Sequence, residues 1–408
     1  MRAFTLLFLA LIIFSCKKEM QVNVTMEEDV SLLASDSLQG RRTGTDYERM
    51  AADYLAFRFK NLGLEPKGTD GYFQEFNFTD KTDPHQEVQF INKGDDGSVT
   101  GINVVGYIDN NADNTVVLGA HFDHLGMGGE GSLYRGEEPM IHNGADDNAS
   151  GVAVVLDLVN DLKGNNTNNN YLFILFSAEE IGLLGSNYYV KNPTIDLENV
   201  NYMINFDMVG RLNQDKALAV HGVGTSPVFS QTIFANNSGF KLTEKESGVG
   251  PSDHTSFYLA DIPVLHFFTG QHEDYHRPGD DSEKLNYEGM EQISQYILAI
   301  ISDLDDDSKL EFRKTKNESE ETPSFKVTLG VVPDYLFDGK GMRIDGVSED
   351  KPAQMAGLQK GDVVIKVGEY EIIDMMSYMK SLSKFEKGMK TMVVVDRNGE
   401  ELEFEVTW

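Results

Sequence analysis

Apolar residues recur along this chain with two different spacings. Four short, nearly continuous apolar runs, 115–120, 171–176, 200–206 and 262–268, have the length of strands buried on both faces. Between and after them the spacing changes to that of a helix: Val152, Val155, Leu156, Val159 and Leu162 form one stripe, and Met290, Ile293, Ile297, Ile300 and Ile301 another. An earlier helix is expected to start at Thr45-Asp46-Tyr47-Glu48, which has the form of a capping box. Its apolar face would be Tyr47, Met50, Ala51, Tyr54 and Leu55, and Gly63 would stop it. Strands alternating with helices predict an α/β domain with a mainly parallel sheet and helices on both faces. The Asn-rich stretch 165–170 reads as a loop.

After the last helical stripe the pattern breaks down into Asp305-Asp306-Asp307 and a charged run through Glu321, predicting a linker over 305–323. Strand-like runs return and continue to Trp408, so the larger domain is placed at 30–304 and a small α+β domain at 324–408. At the other end, Met1-Arg2 precedes an apolar run, 4–14, too short to span a bilayer and proportioned like a signal peptide over 1–15. Residues 16–29 are then a tether.

Composition narrows the function. With 66 acidic against 35 basic residues the net charge is −31, which excludes nucleic acid as a partner because a phosphate backbone needs a basic footprint. One cysteine in 408 residues excludes an internal disulfide and any cysteine-based metal site. That cysteine ends the segment Ile13-Phe14-Ser15-Cys16, which resembles a bacterial lipobox. The resemblance implies lipid attachment at Cys16 and export to the cell envelope, at the outer membrane, facing the periplasm or the surface. Membrane contact would be through the lipid anchor only.

The residues able to do chemistry cluster after the predicted strands. His121 and Asp123 follow the first run, Glu179 and Glu180 the second, Asp207 the third, and His276 lies beyond the fourth. The carboxyl ends of parallel strands form the crevice where ligands bind, so these groups should converge. Asp146-Asp147-Asn148, just before a helical stripe, is placed to join them. Glu179 and Glu180 can both face the crevice only if the chain turns there, because neighbours in a strand point to opposite sides.

Five segments carry a family resemblance over roughly residues 30 to 300: Gly119-Ala120-His121-Phe122-Asp123-His124, Gly144-Ala145-Asp146-Asp147-Asn148-Ala149-Ser150-Gly151, Ser177-Ala178-Glu179-Glu180-Ile181-Gly182, Asn205-Phe206-Asp207-Met208-Val209-Gly210 and Tyr275-His276-Arg277-Pro278. In this order they resemble the M28 family of zinc aminopeptidases. The resemblance implies two zinc ions bridged by Asp147, one also held by His121 and Asp207, the other by Glu180 and His276. Cobalt or manganese would suit the same ligands. It further implies a metal-bridging water activated by Glu179 as general base, Asp123 orienting His121, and hydrolysis that frees N-terminal residues from peptides. His272 competes with His276 as ligand; the family pattern, Tyr-His followed by Pro and an acidic residue, favours His276. Asp253 and His254, in a segment that lies beside the substrate in the family, and Tyr275 are candidate substrate contacts. The oxyanion partner stays open among Tyr275, Tyr258 and His254.

The C-terminal domain resembles a bacterial PDZ domain, through Leu329-Gly330-Val331-Val332, Gly346-Val347, Pro352-Ala353-Gln354-Met355-Ala356-Gly357-Leu358 and Gly361-Asp362-Val363-Val364. This implies a groove for an added peptide strand, with Leu329, Gly330 and Val331 meeting the peptide's C-terminal carboxylate. Fold alone does not fix the reaction. A related zinc carboxypeptidase, dipeptidase or glutaminyl cyclase, or a non-enzymatic surface lipoprotein that binds peptides, are the alternatives.

Overall fold

The structure is a computed structural model that describes residues 24–79, 88–95, 97–129, 131–306, 308–315, 327–334, 337, 339–348, 351–373 and 375–408. The signal segment, Cys16, residues 307 and 316–323 of the linker, and 324–326 at the start of the smaller domain lie outside the described residues.

The larger sheet is built from β1 (Glu65–Pro66), β2 (Phe73–Thr79), β3 (Ser98–Ile108), β4 (Asn114–His121), β5 (Asn169–Phe176), β6 (Val200–Phe206), β7 (Ala217–His221), β8 (Lys241–Lys245) and β9 (Val264–Phe268). Its order is β1-β3-β5-β4-β6-β9-β7-β8, with β2 paired to β3. The four central strands, β5, β4, β6 and β9, run parallel, and they are the four runs read from the sequence. Antiparallel pairings of β1, β2 and β5 with β3, and of β7 with β9, make the whole a mixed sheet. The parallel register sets His121 beside Phe176, so the carboxyl ends of β4 and β5 reach the same rim.

The central strands are apolar throughout because both faces are covered. Val116, Leu118 and Ala120 point into a core shared with α2 (Asp46–Leu62), α3 (Gly151–Leu162) and α7 (Tyr287–Leu304). Val117 points the other way, into a core with Tyr189 of α4 (Leu184–Lys191) and Phe257 of α6 (His254–Tyr258). All five residues of each predicted stripe on α3 and α7 are buried. Between them in sequence lies α5 (Phe229–Asn236), and α1 (Met26–Leu33) precedes α2.

Four expectations change. On α2 the buried face is Ala51, Ala52, Leu55, Ala56, Phe59 and Leu62, while Met50 is exposed, so the stripe is rotated from the one expected. Small alanines let the helix approach β3. There Gly106 leaves room for Phe59, whose ring would lie 2.8 Å from a Cβ at that position. The capping box is also only half formed. Thr45 caps Glu48 N, but the Glu48 carboxylate accepts from Gly44 N at 2.6 Å and from the Ser177 hydroxyl. Burial pushes the Glu48 carboxyl up to about 8.

The Asn-rich stretch is not all loop, since Asn169 and Asn170 begin β5. Their buried amides are satisfied: Asn169 Nδ2 donates to Asp305 Oδ1 at 3.1 Å, and Asn170 Oδ1 accepts from Asn110 N at 2.9 Å. Asp305 is thereby tied to the domain rather than opening a linker. Residues 308–315 also lie along the domain: Leu310 N donates to Asn201 Oδ1 at 2.8 Å, Arg313 N to Thr225 O at 2.8 Å, and Thr315 N to Tyr258 Oη at 3.0 Å.

The second sheet comprises β10 (Val331–Pro333), β11 (Met342–Val347), β12 (Val363–Val367), β13 (Tyr370–Glu371), β14 (Lys390–Arg397) and β15 (Glu400–Thr407). All its pairings are antiparallel, and β10 lies at its edge, paired to β11 alone among the described residues. With α8 (Pro352–Ala356) and α9 (Met375–Leu382) it encloses its own apolar core, including Leu329, Ile344, Val364, Val393, Val406 and Trp408. Among the described residues no helix is long and apolar enough to cross a membrane.

Candidate metal centre

The residues singled out by strand position meet at one rim of the larger sheet. His121 closes β4, with Nε2 3.3 Å from Asp147 Oδ1 and 3.4 Å from Asp207 Oδ1. On the other side of the same carboxylate, Asp147 Oδ2 lies 3.2 Å from His276 Nε2, which is also 3.2 Å from Glu180 Oε2. Asp147 therefore stands between two groups of ligand-type atoms. His272 does not join them; its Nε2 is 3.1 Å from Asp146 Oδ2, and that nitrogen is the structure's reason for preferring His276 at the centre.

Local backbone explains the convergence. The backbone amides of Asp146 and Asp147 both donate to Asp280 Oδ2, at 2.9 and 3.0 Å, which holds the turn before α3. Asn148 bonds Phe206 O through Nδ2 at 2.8 Å and Met208 N through Oδ1 at 3.2 Å, so the ends of β6 and this turn are fixed together around Asp207. Gly144, at φ 58°, cannot carry a side chain: a Cβ would sit 2.2 Å from Asp147 O and 2.5 Å from the His124 ring. After β5 the chain does turn, with Ala178 at φ 58° and Gly182 N and Leu183 N both donating to Glu179 O. That turn brings Glu179 and Glu180 to the same crevice.

Glu179 Oε2 is 4.0 Å from His121 Nε2, farther than the Asp147 and Asp207 carboxylates. Its amide donates to Asp123 Oδ1 at 3.1 Å, and Asp123 Oδ2 accepts from Thr43 Oγ1 at 3.0 Å. Asp123 meets His121 differently from the expectation. His121 Nδ1 finds the Asp123 carbonyl oxygen at 3.3 Å and its carboxylate at 3.7 Å, so the backbone oxygen fixes the ring and the carboxylate positions Glu179. His276 is oriented by Nδ1 donating to Gly131 O at 2.8 Å and by the Tyr275 ring, stacked 3.9 Å away.

Two residues that matter here carried no assigned role in the sequence. His124, quoted within the first segment, places Nδ1 2.7 Å from Glu180 Oε1 yet out of line for a hydrogen bond, and forms a ligand-type cluster with Asp147 and Glu180. Its place three residues after His121 was the available signal. Arg41 is fully buried beneath the centre and donates to the carbonyls of Phe122 at 2.5 Å, Leu33 at 3.0 Å, Gly144 at 2.7 Å, and Asn143. A lone arginine in an irregular segment has no periodic signature.

The electrostatics follow from burial against close opposite charges. Burial works against charge on His121, but Glu179 and Asp207 hold its pKa well above the usual value; burial, then Glu180 and Asp147, act likewise on His276. Burial raises the Asp147 and Glu180 carboxyls, but the histidines outweigh it, holding Asp147 well below its usual range and Glu180 at about 2. Glu179 goes the other way, pushed well up by burial despite His121.

The donor set fits zinc. Imidazole nitrogens and carboxylate oxygens are its usual ligands, and His121, Asp147 and Asp207 offer atoms within 4.8 Å of one another, as do His124, Asp147 and Glu180. The buried Glu180 Oε1 and His124 Nδ1, 2.7 Å apart, lack hydrogen-bond partners among the described residues, as expected of atoms converging on a cation.

A cavity of about 340 Å³ opens against Asp147, Glu179, Glu180, Asp207, Tyr275 and His276. Pro251 lines it, whereas Asp253 and His254 are buried behind that wall. Tyr258 Oη is engaged by Thr315, which removes it from the crevice. In the smaller domain Gly330 sits at φ 75°, but its N–H already donates to Thr328 Oγ1 at 3.1 Å.

The model of peptidase family M28 matches residues 103–301, and that of the PDZ domain matches residues 310–407. Aminopeptidase YwaD of Bacillus subtilis (strain 168) is 32% identical over 170 residues, spanning 39% of this chain and 37% of that protein. The chain thus spans well under two thirds of that relative's length. A solved zinc aminopeptidase of Bacillus subtilis superimposes with a TM-score of 0.55 at 20% identity, covering 71% of this chain and 96% of the other. A Bacteroides thetaiotaomicron glutaminyl cyclase shares the fold as well, with a TM-score of 0.52 at 18% identity and coverage of 68% and 96%. Residues 103–301 therefore carry the sequence pattern of peptidase family M28 on the zinc aminopeptidase fold, and residues 310–407 that of a PDZ domain.

Proposed function

We propose that this protein is a two-zinc aminopeptidase that hydrolyses the first peptide bond of peptides with a free N-terminus. The position of Asp147 between two imidazole and carboxylate groups, with Glu179 beside but outside them, is the observation that carries the reading. His121, Asp147 and Asp207 would hold one ion, and Asp147, Glu180 and His276 the other, with His124 an additional donor on that side. Zinc held there supplies Lewis-acid polarisation of the scissile carbonyl and acidifies water in the crevice.

The chain's own groups do the rest. Glu179 takes a proton from the attacking water as its oxygen bonds to the carbonyl carbon, then gives that proton to the nitrogen as the C–N bond breaks. Asp123 holds Glu179 for this through its backbone amide. The carboxylates lining the cavity favour the positive charge of a free α-amine over a neutral acetylated end. Tyr275, at the cavity wall, is the substrate contact that the geometry supports best.

Incubating the zinc-loaded chain with matched peptides bearing free or acetylated N-termini tests this. Single residues should be released only from the free peptides. Cleavage of both sets would indicate an endopeptidase or carboxypeptidase instead, and ammonia loss from N-terminal Gln with no shortening would indicate a cyclase.

Export and lipid attachment at Cys16 belong to the same proposal, resting on the apolar run before it; a palmitate-analogue label present on the wild type should vanish in Cys16→Ala, and equal labelling of both would refute it. The edge of β10 left unpaired among the described residues is where an extended peptide would add to the smaller domain, as PDZ domains allow.

A further inference from the structure

Three side chains that the proposed chemistry leaves unused line the cavity beside the metal centre: His221, His266 and Gln271. They are polar and uncharged, in contrast to the carboxylates at the centre and to apolar walls such as Met208 and Phe268. His266, on β9, is locked in place. Its ring stacks on His254 at 4.4 Å with 6° between planes and meets His221 edge-on at 5.3 Å. Its Nδ1 lies 3.2 Å from the Asn205 amide nitrogen, which also donates to Ser252 Oγ at 2.8 Å. With Nδ1 accepting, the ring proton falls on Nε2, and the cavity is the side left for that N–H to serve.

Charge does not explain this wall. Burial pushes His221 down to about 4 and His266 well below its usual value, so both rings are neutral at physiological pH. Among the described residues no lysine or arginine lines the cavity, so an acidic side chain would find no ion-pair partner in its wall. Gln271 adds an amide whose Oε1 is buried without a hydrogen-bond partner among the described residues. A purely apolar side chain filling this space would offer His266 Nε2 no acceptor and leave the Gln271 amide oxygen still without a donor. An amide side chain has both a donor and an acceptor, and so matches an imidazole in either tautomer.

Resting on the aminopeptidase reading, we propose that this cavity receives the side chain of the substrate's first residue and selects neutral hydrogen-bonding side chains, amides above all. His266, His221 and Gln271 are its specificity-determining residues.

The test compares near-isosteric first residues on one peptide, Asn against Leu and Gln against Met, as kcat/KM of the zinc-loaded full chain. Asn should exceed Leu by at least about tenfold, since a site built to bond a polar group discriminates strongly against an analogue lacking it. In His266→Phe, which keeps an aromatic ring against His254, the ratio should fall towards one or invert. Leu hydrolysed as fast as Asn by the wild type overturns the proposal even if no variant folds. An unchanged ratio in both His266→Phe and His221→Phe also overturns it. Release of no first residue from any peptide is a different failure, that of the aminopeptidase reading itself.

Discussion

Glu179→Gln is expected to lower kcat by roughly 10²–10⁴-fold while leaving zinc content at the wild-type level. Both parts follow from position. Glu179 stays outside the two ligand-type clusters, its nearest approach to an imidazole being 4.0 Å, so removing its charge should not release metal. It nevertheless lines the cavity where water and substrate must meet, and its backbone is pinned to Asp123, so the amide replacement keeps the shape and removes only the proton acceptor. Near-normal turnover would show that another group moves the proton. Loss of zinc along with turnover would make Glu179 a ligand and require the centre to be reassigned.

Arg41→Met is expected to destabilise the protein by at least about 3 kcal/mol, because four backbone carbonyls lose their buried donor and each unsatisfied group costs ~1–3 kcal/mol. Those carbonyls, from Leu33 at the end of α1, Phe122 just past β4, and Asn143 and Gly144 in the turn before α3, lie where helix and strand ladders stop, and only Gly144 O is shown with a further donor, Ala149 N at 3.3 Å. Burial lowers the guanidinium pKa to about 10, held there by Asp147 and Asp123, so Arg41 remains charged at neutral pH and offsets the acidic centre above it. Lysine would not substitute well, since one ammonium cannot reproduce the planar fork that reaches several carbonyls. Urea unfolding of wild type and variant measures the effect. A change of less than about 0.5 kcal/mol would place Arg41 among ordinary surface-like substitutions and remove it as the support of these loops.

The parts of the fold that were legible in the sequence are those where one physical demand repeats. Strands covered on both faces must be apolar at every position, which is why β4, β5, β6 and β9 stood out, and the stripes of α3 and α7 repeat with the helical period. Site residues were legible because parallel strands end at one rim, and His121, Asp207 and the Glu179-Glu180 pair sit where those strands stop. Singular solutions were not. The rotation of α2 depends on Gly106 yielding space to Phe59, Asn169 and Asn170 enter a strand because Asp305 and Asn110 satisfy their amides, and Arg41 is buried because four carbonyls await it. Each is a long-range pairing made once, so no period announces it. His266 falls in the same class: nothing in its sequence neighbourhood tells a cavity-facing imidazole from a packed one.

The most direct measurement is the number of zinc ions per chain, read by native mass spectrometry on the zinc-loaded wild type and on Asp147→Ala. Two ions on the wild type, with both lost or severely weakened in the variant, is the result predicted by a carboxylate placed 3.3 Å from His121 Nε2 and 3.2 Å from His276 Nε2. A single ion on the wild type, or two retained without Asp147, would contradict it.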